Sequence, residues 1–345
     1  MTSAHPDGNL LHPPAHEYMI ALDPAFGTRF MRFVDTEEEF DWTAPFNRSS
    51  RSVTALAGME RGQAYFARAG IKPVYVTDHP VVDSDAAAAM MGRWLADGAA
   101  DIGAHLHPWV NPPHVEEVTP ANSYAGSLPE PLERAKLEML CQRMAERFGH
   151  RPTVYRAGRY GVGPHSARLL EELGFRLDSS VRSRFDYRAQ HGPDFRSMPI
   201  HPYWAGPQRQ LVELPLSTAF TGLLRRGGER LYHSIQGRGR LGGAMSRAGM
   251  LSRVPLTPEA VPLPDALRAI DALMEEGARL LSFSFHSPTL EPGHTPYVRD
   301  QNDLAAFYRW WDGVLDHLAR RNVRAATLDQ LLTAIPHRGR ACKAA

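Results

Sequence analysis

Hydrophobic and polar positions along the chain follow two alternating periods. Segments in which apolar residues recur every three to four positions predict amphipathic helices, and short runs rich in Val, Ile, Phe and Tyr predict strands. The predicted strands are 28–35, 72–77, 101–105, 153–156, 175–181, 211–216, 279–286 and 323–327, and the predicted helices are 55–69, 84–98, 129–148, 165–173, 263–278, 301–320 and 329–335. Strands that alternate with helices indicate the α/β class with a parallel sheet, and their number favours a (β/α) barrel over a short open sheet.

The same pattern divides the chain into segments. We expect one catalytic (β/α) barrel domain formed by 18–217 and 258–336, interrupted at 218–257 by a partly helical insertion rich in Arg and Gly. Residues 1–17 and 337–345 lack periodicity and are predicted to be a loose lead-in and a polar tail. The insertion is interpreted as a lid, a contact for an anionic glycan or lipid carrier, or a dimer surface, with a solvated pair of helices as the simplest alternative.

The charges of the 345 residues almost cancel, with 39 basic and 38 acidic side chains and a net charge of +1. This balance does not indicate a nucleic-acid partner, because such proteins usually present a strongly basic face. Two distant cysteines, Cys141 and Cys342, are neither a disulfide framework nor a zinc finger. No run of about 18 apolar residues predicts a membrane span, and the first residues contain no apolar signal segment. We therefore expect a soluble cytoplasmic protein.

Charged and imidazole side chains follow five of the predicted strands. These strand ends carry the segments 35–39, 105–109, 156–160, 178–180 and 286–288. In a barrel of parallel strands the chemistry lies at the carboxyl ends of the strands, so these five segments are expected to meet at one mouth. Five such coincidences are more than a solvated surface would supply by chance.

Two of these segments contain residues spaced for a metal site. Residues two apart in an extended segment point the same way, so Asp35 and Glu37 form one pair and His105 and His107 form another. Two histidines and one carboxylate are a frequent catalytic metal set that leaves a position for water. The remaining carboxylate is a candidate general base and His286 a candidate general acid, which together indicate metal-assisted hydrolysis of an amide or ester.

Each of these residues has an ordinary structural explanation when it is taken alone. The acidic run at 35–39 is typical of a charged loop, and a His-x-His pair is a weak motif. Arg156 is typical of a structural ion pair, Asp178 of a turn or helix cap, and His286 of a buried histidine. The combination of all five segments is what favours the catalytic interpretation.

Five sequence blocks stand in an order that resembles a known family. They read VDTEEEFDW, IGAHLHPWVNPP, YRAGRYGVG, DSSV and SFHSPTLEPGHTPY, and they span residues 34–297. In this order they resemble the NodB-type polysaccharide deacetylases, which form carbohydrate esterase family four. The resemblance implies a distorted, incomplete (β/α) barrel and a hydrolase that removes acetyl groups, usually the N-acetyl group of amino sugars.

The resemblance also implies roles for the acids of the first block. The family has a base Asp followed by a metal-binding acid, so Asp35 is the expected base. Thr36 stands where the adjacent acid is usual, so Glu37 is the expected metal ligand and Glu38 its alternative. The resemblance and the ligand types favour zinc as one divalent metal, with cobalt, iron and manganese left open.

In the second block the family spaces its two metal histidines four apart. Trp109 stands four residues after His105 and cannot ligate, so His105 and His107 are the expected ligands and His114 is an outside candidate.

In the remaining blocks the resemblance assigns positioning and proton transfer. Arg156 is expected to hold the base Asp35, Asp178 to orient the acid, and His286 to protonate the leaving amine.

Further residues near the motifs are expected to contact the substrate or support the site. The predicted substrate contacts are Trp42, Trp109, Arg159, Tyr160 and Tyr297, whereas Trp204 is interpreted as ordinary packing. Glu213 is expected close to the site, and Asp78 is expected either to join the metal or to hold a ligand histidine.

The sequence thus predicts a metal-dependent deacetylase that hydrolyses the N-acetyl amide of an amino sugar in a glycan or glycan precursor. Three alternatives stay open. An O-acetyl esterase or a cyclic-amide hydrolase would use the same site, and a non-catalytic glycan-binding protein would have kept the barrel without turnover. The expected partner is an acetylated sugar, and self-association into a homo-oligomer is left open.

Overall fold

A computed structural model describes residues 8–236 and 240–336 of the chain. Its strands are β1 Arg29–Thr36, β2 Val74–Thr77, β3 Asp101–Leu106, β4 Val154–Ala157, β5 Leu177–Asp178, β6 Tyr203–Ala205, β7 Leu211–Glu213, β8 Thr218–Thr221, β9 Ser252–Pro255, β10 Leu280–His286 and β11 Arg324–Ala325. Its α-helices are α1 Leu56–Arg68, α2 His79–Asp83, α3 Asp85–Ala96, α4 Glu130–Phe148, α5 Ser166–Glu172, α6 Gly228–Gln236, α7 Arg240–Arg247, α8 Leu263–Glu275, α9 Gln301–Arg320 and α10 Leu328–Ala334. None of the described helices is long and apolar enough to cross a membrane.

The main sheet is a curled half-barrel. Its strands lie in the order β10–β1–β2–β3–β4–β5–β7–β6, and all of these pairs are parallel except β6 with β7. Strand β11 pairs with the first residues of β1, at Arg29 and Phe30, while β2 pairs with the later residues from Phe33 onward. The predicted α/β class with a distorted, incomplete barrel is therefore confirmed.

Alternation along the strands separates two hydrophobic cores. Phe30 and Val34 of β1 belong to a core that also contains apolar side chains of the surrounding helices, whereas Met31 and Phe33 belong to a second core with residues of α10. Successive side chains of a strand point to opposite faces. Asp35 continues the second series, so it reaches the inner side of the half-barrel at the carboxyl end of β1.

The structure contains elements that the sequence pattern did not predict. Helix α2 follows β2 directly, with Asp78 as its N-cap, and β6 adds an antiparallel edge to the sheet. In the insertion 218–257, the helices α6 and α7 are flanked by β8 and β9, which pair antiparallel. The predicted partly helical insertion thus contains two helices and, at 218–221 and 252–255, a two-stranded ribbon.

The ends of the chain differ in how far they are described. The predicted loose lead-in at 1–17 is described from Gly8 onward, and it includes Leu10, which is fully buried. A backbone hydrogen bond from Gly206 N–H to Gly8 O ties this segment to the loop after β6. The predicted tail at 337–345, with Cys342, lies outside the described residues.

Candidate active site

Four parallel strands bring the predicted site residues to one edge of the sheet. In the strand register Asp35 pairs with His286, and His105 pairs with Arg156. A cleft of about 370 Å³ opens at this edge. Of the predicted site residues, those that line the cleft are Asp35, Glu37, Trp42, His105, His107, Trp109, Arg159, Tyr160, His286 and Tyr297. Arg156 and Asp178 are fully buried and do not line it.

Glu37, His105 and His107 converge on a single point. The Oε2 atom of Glu37 lies 3.6 Å from His105 Nε2 and 3.4 Å from His107 Nε2, and all three side chains are buried. The other carboxylate oxygen, Oε1, is buried without a hydrogen-bond partner among the described residues. One ligand atom from each of the three residues lies within 4.8 Å of the others, which is close enough for one metal ion.

The hydrogen bonds of the two histidines set their tautomers. His105 Nδ1 lies 2.9 Å from the carbonyl oxygen of Arg156, and His107 Nδ1 lies 2.8 Å from Glu38 Oε2. Because these oxygens accept, each Nδ1 carries the hydrogen and each Nε2 lone pair faces Glu37. Burial lowers the pKa of His105 to about 3 and that of His107 to about 4, so both imidazoles are neutral, as a metal ligand must be.

The donor set fits a divalent transition metal. Burial raises the pKa of Glu37 well above its ordinary value and neighbouring carboxylates add to this, although the charge of His286 acts in the opposite direction. Glu37 is a buried carboxylate with an unpartnered oxygen that faces two neutral imidazoles, so these three residues offer a cation one anionic and two neutral ligands. Two imidazoles and one carboxylate are a common catalytic zinc set, and cobalt, iron and manganese accept the same donors.

Glu38 supports His107 rather than facing the point between the two histidines. It accepts a hydrogen bond from Trp109 Nε1 at 2.7 Å as well as bonding His107, and burial raises its pKa to about 7. Its own backbone N–H donates to Asp78 Oδ2 at 2.7 Å. This arrangement favours Glu37 over Glu38 as the metal ligand. Of the two roles expected for Asp78, support of a ligand histidine fits these contacts better, since Asp78 acts through Glu38.

Two other candidates near the histidines behave differently from expectation. Trp109 is only 1% exposed, and its ring stacks on His107 at 4.2 Å, so it leaves almost no surface for a sugar ring. In the described part of the chain two groups of side chains are close enough to hold a metal ion, Glu37 with His105 and His107, and Glu38 with Asp78 and His107. His114, the outside candidate ligand, belongs to neither group.

Asp35 is held by Arg156, as the sequence predicted. Arg156 Nη1 donates to Asp35 Oδ1 at 2.5 Å, and its Nε and Nη2 donate to the carbonyl and hydroxyl oxygens of Ser179. Burial opposes ionisation of Asp35, but the guanidinium of Arg156 and the nearby imidazoles outweigh it and hold the pKa of Asp35 below its ordinary value. Asp35 is therefore an ionised carboxylate, as a general base must be.

His286 is bound by Glu259, a residue that the sequence analysis did not single out. His286 Nδ1 lies 2.7 Å from Glu259 Oε2, and the backbone N–H of His286 donates to Glu259 Oε1 at 3.0 Å. Burial alone would lower the pKa of His286, but the charge of Glu259, with smaller contributions from Glu37 and Asp35, overcomes it and raises that pKa to about 10. His286 is therefore protonated at neutral pH, which is the state of a general acid.

Asp178 does not orient the acid, which corrects the role expected for it. Strand β5 stands five places from β10 in the sheet, and Asp178 accepts a hydrogen bond from the Ser180 hydroxyl and pairs in register with Glu213. Burial raises the pKa of Asp178 to about 6, and burial and Asp178 together raise that of Glu213. These two acids are buried behind Arg156, so Glu213 is near the site as expected but outside the cleft.

Aromatic side chains surround the mouth of the cleft. The Trp42 ring meets His286 edge-on at 4.9 Å and Tyr297 at 5.6 Å. Arg159 and Tyr160 follow β4 with φ angles of 56° and 60°, in the left-handed region, and this turn aims both side chains at the cleft. Trp204 lies on β6 and does not line the cleft, in agreement with its interpretation as packing.

Comparisons with known proteins give a match only among solved structures. No protein-family model and no curated protein sequence matches the chain. A Puue allantoinase is 17% identical, with 90% of this chain and 91% of that chain covered and a TM-score of 0.51. A Mycobacterium smegmatis protein and a Pseudomonas aeruginosa PAO1 protein, both described as polysaccharide deacetylases, are 15% and 16% identical, with TM-scores of 0.47 and 0.49. The match to the Mycobacterium smegmatis protein covers 92% of this chain and 98% of that protein. The match to the Pseudomonas aeruginosa protein covers 90% of this chain and 92% of that protein. The chain shares its overall fold with the allantoinase.

Proposed function

We propose that the protein is a metal-dependent hydrolase that removes the acetyl group from an N-acetylated amino sugar in a glycan or glycan precursor. The observation that carries this proposal is that two neighbours in the strand register have partners of opposite charge, since Asp35 is held by Arg156 and His286 by Glu259. These partners favour the ionised form of Asp35 and the protonated form of His286, and both residues line the cleft beside Glu37, His105 and His107. One base, one acid and one metal-ligand set in a single cleft suit amide hydrolysis.

Glu37, His105 and His107 would hold the metal, which would polarise the acetyl carbonyl and lower the pKa of a water molecule. Asp35 accepts a proton from the attacking water on the carboxylate oxygen that Arg156 does not hold. The water oxygen bonds to the carbonyl carbon, and the π electrons of the carbonyl move onto its oxygen. When this oxygen re-forms the double bond, the bond from the carbon to the sugar nitrogen breaks. His286 donates its proton to this nitrogen, so that acetate and a free amino sugar leave.

Positioning residues keep these two groups ready for proton transfer. Arg156 fixes one oxygen of Asp35, and its own guanidinium is fixed by Ser179. Glu259 binds Nδ1 of His286, which leaves Nε2 to face the cleft. Trp42, Tyr160 and Tyr297 offer ring surfaces at the mouth against which a sugar can pack.

Three other functions make use of the same residues. An O-acetyl ester needs the same base and metal but a weaker acid, because an alkoxide leaves more readily than an amide nitrogen. A cyclic amide would follow the chemistry of the allantoinase with which this chain shares its fold. A glycan-binding protein without turnover would retain the cleft and release no product.

The test is release of acetate by the zinc-loaded protein from chitin oligosaccharides and N-acetylated monosaccharides. O-acetylated sugars and allantoin are assayed in parallel, with allantoin followed by ring opening. The proposal expects acetate from at least one N-acetylated sugar at a rate above that from O-acetyl esters. Hydrolysis of allantoin or O-acetyl esters alone would replace the substrate class, and no hydrolysis of any compound by metal-loaded protein would favour the binding function.

A further inference from the structure

Two arginines in the wall of the cleft have no carboxylate partner among the described residues. Arg159 and Arg182 both line the cleft, and neither forms an ion pair within residues 8–236 and 240–336. Most arginines elsewhere in this part of the protein, such as Arg184 with Glu276, are paired with acids. A guanidinium carries its charge at every physiological pH, so the two residues place unneutralised positive charge beside the catalytic groups.

Arg182 retains hydrogen-bonding capacity that the protein does not use. Its Nη1 donates to the hydroxyl of Tyr187 at 2.9 Å, and its guanidinium lies over the rings of Phe185 and Tyr160, 4.1 and 4.9 Å from their centres. Its Nε atom is buried without an acceptor in the described part of the chain. Nη1 is therefore the one guanidinium nitrogen of Arg182 for which the described residues supply a hydrogen-bond acceptor.

Arg159 is held in place by neutral groups only. It donates to the Ser123 hydroxyl and, from Nη2, to Gln190 Oε1 at 3.1 Å, and it stacks over Tyr124 at 4.1 Å. These contacts fix the guanidinium without cancelling its charge. The charges of Arg159 and Arg182 both act on the phenol of Tyr187, so the two lie within electrostatic range of one point of the wall.

The carboxylates that line the same cleft are engaged elsewhere. Asp35 is bound by Arg156, Glu259 by His286, and Asp41 accepts hydrogen bonds from Thr43. Glu37 faces the two metal-site histidines. None of these acids lies within 4 Å of Arg159 or Arg182, although the charge of Glu259 acts on Arg182 from farther away. No acid therefore pairs directly with either guanidinium, and both can pair with an anionic ligand.

We propose that Arg159 and Arg182 form an anion subsite, and that the substrate is an acetylated sugar bearing a carboxylate or phosphate group. Both groups present oxygens in the planar or bidentate arrangement that a guanidinium fork recognises. This inference deepens the proposed function, since it adds a charge to the substrate. A neutral chitin-like chain would leave the two guanidinium groups desolvated and unpaired.

The test compares binding of four sugars by calorimetry to the zinc-loaded Asp35→Asn protein, in which hydrolysis is expected to be slowed about 100-fold to 10,000-fold. The probes are neutral N-acetylglucosamine, its 1-phosphate and 6-phosphate, and N-acetylmuramic acid, which carries a carboxylate. At least one charged sugar is expected to bind about 10-fold to 100-fold more tightly than the neutral one. Whether a phosphate or the carboxylate gives this gain identifies the source of the charge. The gain should shrink as salt is added.

Variants then assign the gain to the two arginines. Arg182→Met and Arg159→Met should each remove most of the preference for the charged sugar, and Arg182→Lys should retain part of it. Arg268→Met, on the exposed face of α8 where Arg268 pairs with Asp265, is the matched control and should change nothing. Thermal melts check that each variant is folded, and the comparison of the four sugars needs no arginine variant at all.

Two results would overturn the subsite. The first is that no charged sugar binds more tightly than N-acetylglucosamine. The second is that the preference for a charged sugar persists in both the Arg159→Met and the Arg182→Met variants. Acetate release by the wild-type protein from the same sugars tests the proposed function separately. Charge-dependent binding without acetate release would support the anion subsite and contradict the deacetylase function. Acetate release from neutral sugars alone would support the deacetylase function and contradict the anion subsite.

Discussion

Glu259 binds His286 through both its carboxylate oxygens, with Oε2 lying 2.7 Å from the ring Nδ1 and Oε1 accepting the backbone N–H at 3.0 Å. Thr289 donates a further hydrogen bond to Oε1 at 2.6 Å, so the carboxylate is itself held in one orientation. The two contacts to His286 fix the position of the ring and stabilise its charged form. They make Glu259 a positioning residue for the proposed acid.

Glu259→Gln should shift the alkaline limb of the pH–rate profile to lower pH. Burial lowers the pKa of His286, but the charge of Glu259, together with the smaller effects of Glu37 and Asp35, raises it from 6.5 to about 10, and Glu259 has the largest effect of the three acids. A neutral amide removes this effect, while burial continues to favour the uncharged ring, so the pKa of His286 falls. Because the acid must carry a proton, kcat/KM of the variant declines at a lower pH than that of the wild type. Glu291→Gln, in which an acid paired with Arg61 is changed, is the control. An alkaline limb that stays in place would show that Glu259 does not act through His286.

Asp35→Asn should abolish most hydrolysis without loss of the metal. The amide cannot accept the proton of the attacking water, and loss of a general base costs about 100-fold to 10,000-fold in rate. The ligand atoms of Glu37, His105 and His107 are unchanged, so metal content measured by mass spectrometry should equal that of the wild type. Asp41→Asn, which changes another carboxylate of the same cleft, should retain activity. Loss of metal together with activity would instead make Asp35 a ligand.

Arg156→Met should destabilise the protein and shift the acid limb upward. Arg156 is fully buried and pairs with buried Asp35, and breaking such a pair by removing one partner costs about 3–5 kcal/mol. Without the guanidinium the pKa of Asp35 rises, so the base becomes protonated at a higher pH than in the wild type. Denaturant unfolding and a pH–rate profile measure the two effects. The double variant Arg156→Met/Asp35→Asn should regain part of the lost stability, because the unpaired charge is gone, and no recovery would argue against the ion pair.

Gly158→Ala should weaken metal binding through His107. A Cβ at Gly158 would lie 2.3 Å from His107 Cδ2 and 2.6 Å from the carbonyl oxygen of Leu106, so the imidazole must move. Changes to the residues that orient a metal-ligating side chain typically lower metal affinity about 10-fold to 100-fold, and we expect a loss of this size here. Gly92→Ala is the control, because nothing lies within 4 Å of its Cβ in α3 and alanine should stabilise the helix slightly. Equal zinc affinity in wild type and Gly158→Ala, measured by chelator competition, would contradict the expectation.

The sequence predicted those parts of the site that local periodicity encodes. Residues at the carboxyl ends of β1, β3 and β10 meet because parallel strands place these ends at one edge, and the two-residue spacing of His105 and His107 sends both rings to one side. Arg156 reaches Asp35 across the intervening strands, as the resemblance to the deacetylases implied.

The remaining contacts depend on the path of the chain in three dimensions. Glu259 lies in the loop between β9 and α8, 27 residues before His286, and neither its spacing nor its neighbours indicate a catalytic partner. Asp178 had the expected residue type at the expected strand end, but β5 lies five places from β10 and its carboxyl instead meets Glu213. Strands β6, β8 and β9 are each three or four residues long, too short for a periodic signal.

The metal content of the purified protein tests the central claim most directly. We expect about one equivalent of zinc or another divalent transition metal per chain after loading and dialysis, and its loss in the His105→Ala/His107→Ala double variant. The matched control is His79→Ala, a histidine at the start of α2 that belongs to neither group of candidate ligands in the described residues. No bound metal in the wild type, or the same metal content in the double variant, would contradict the assignment of Glu37, His105 and His107 as the metal site.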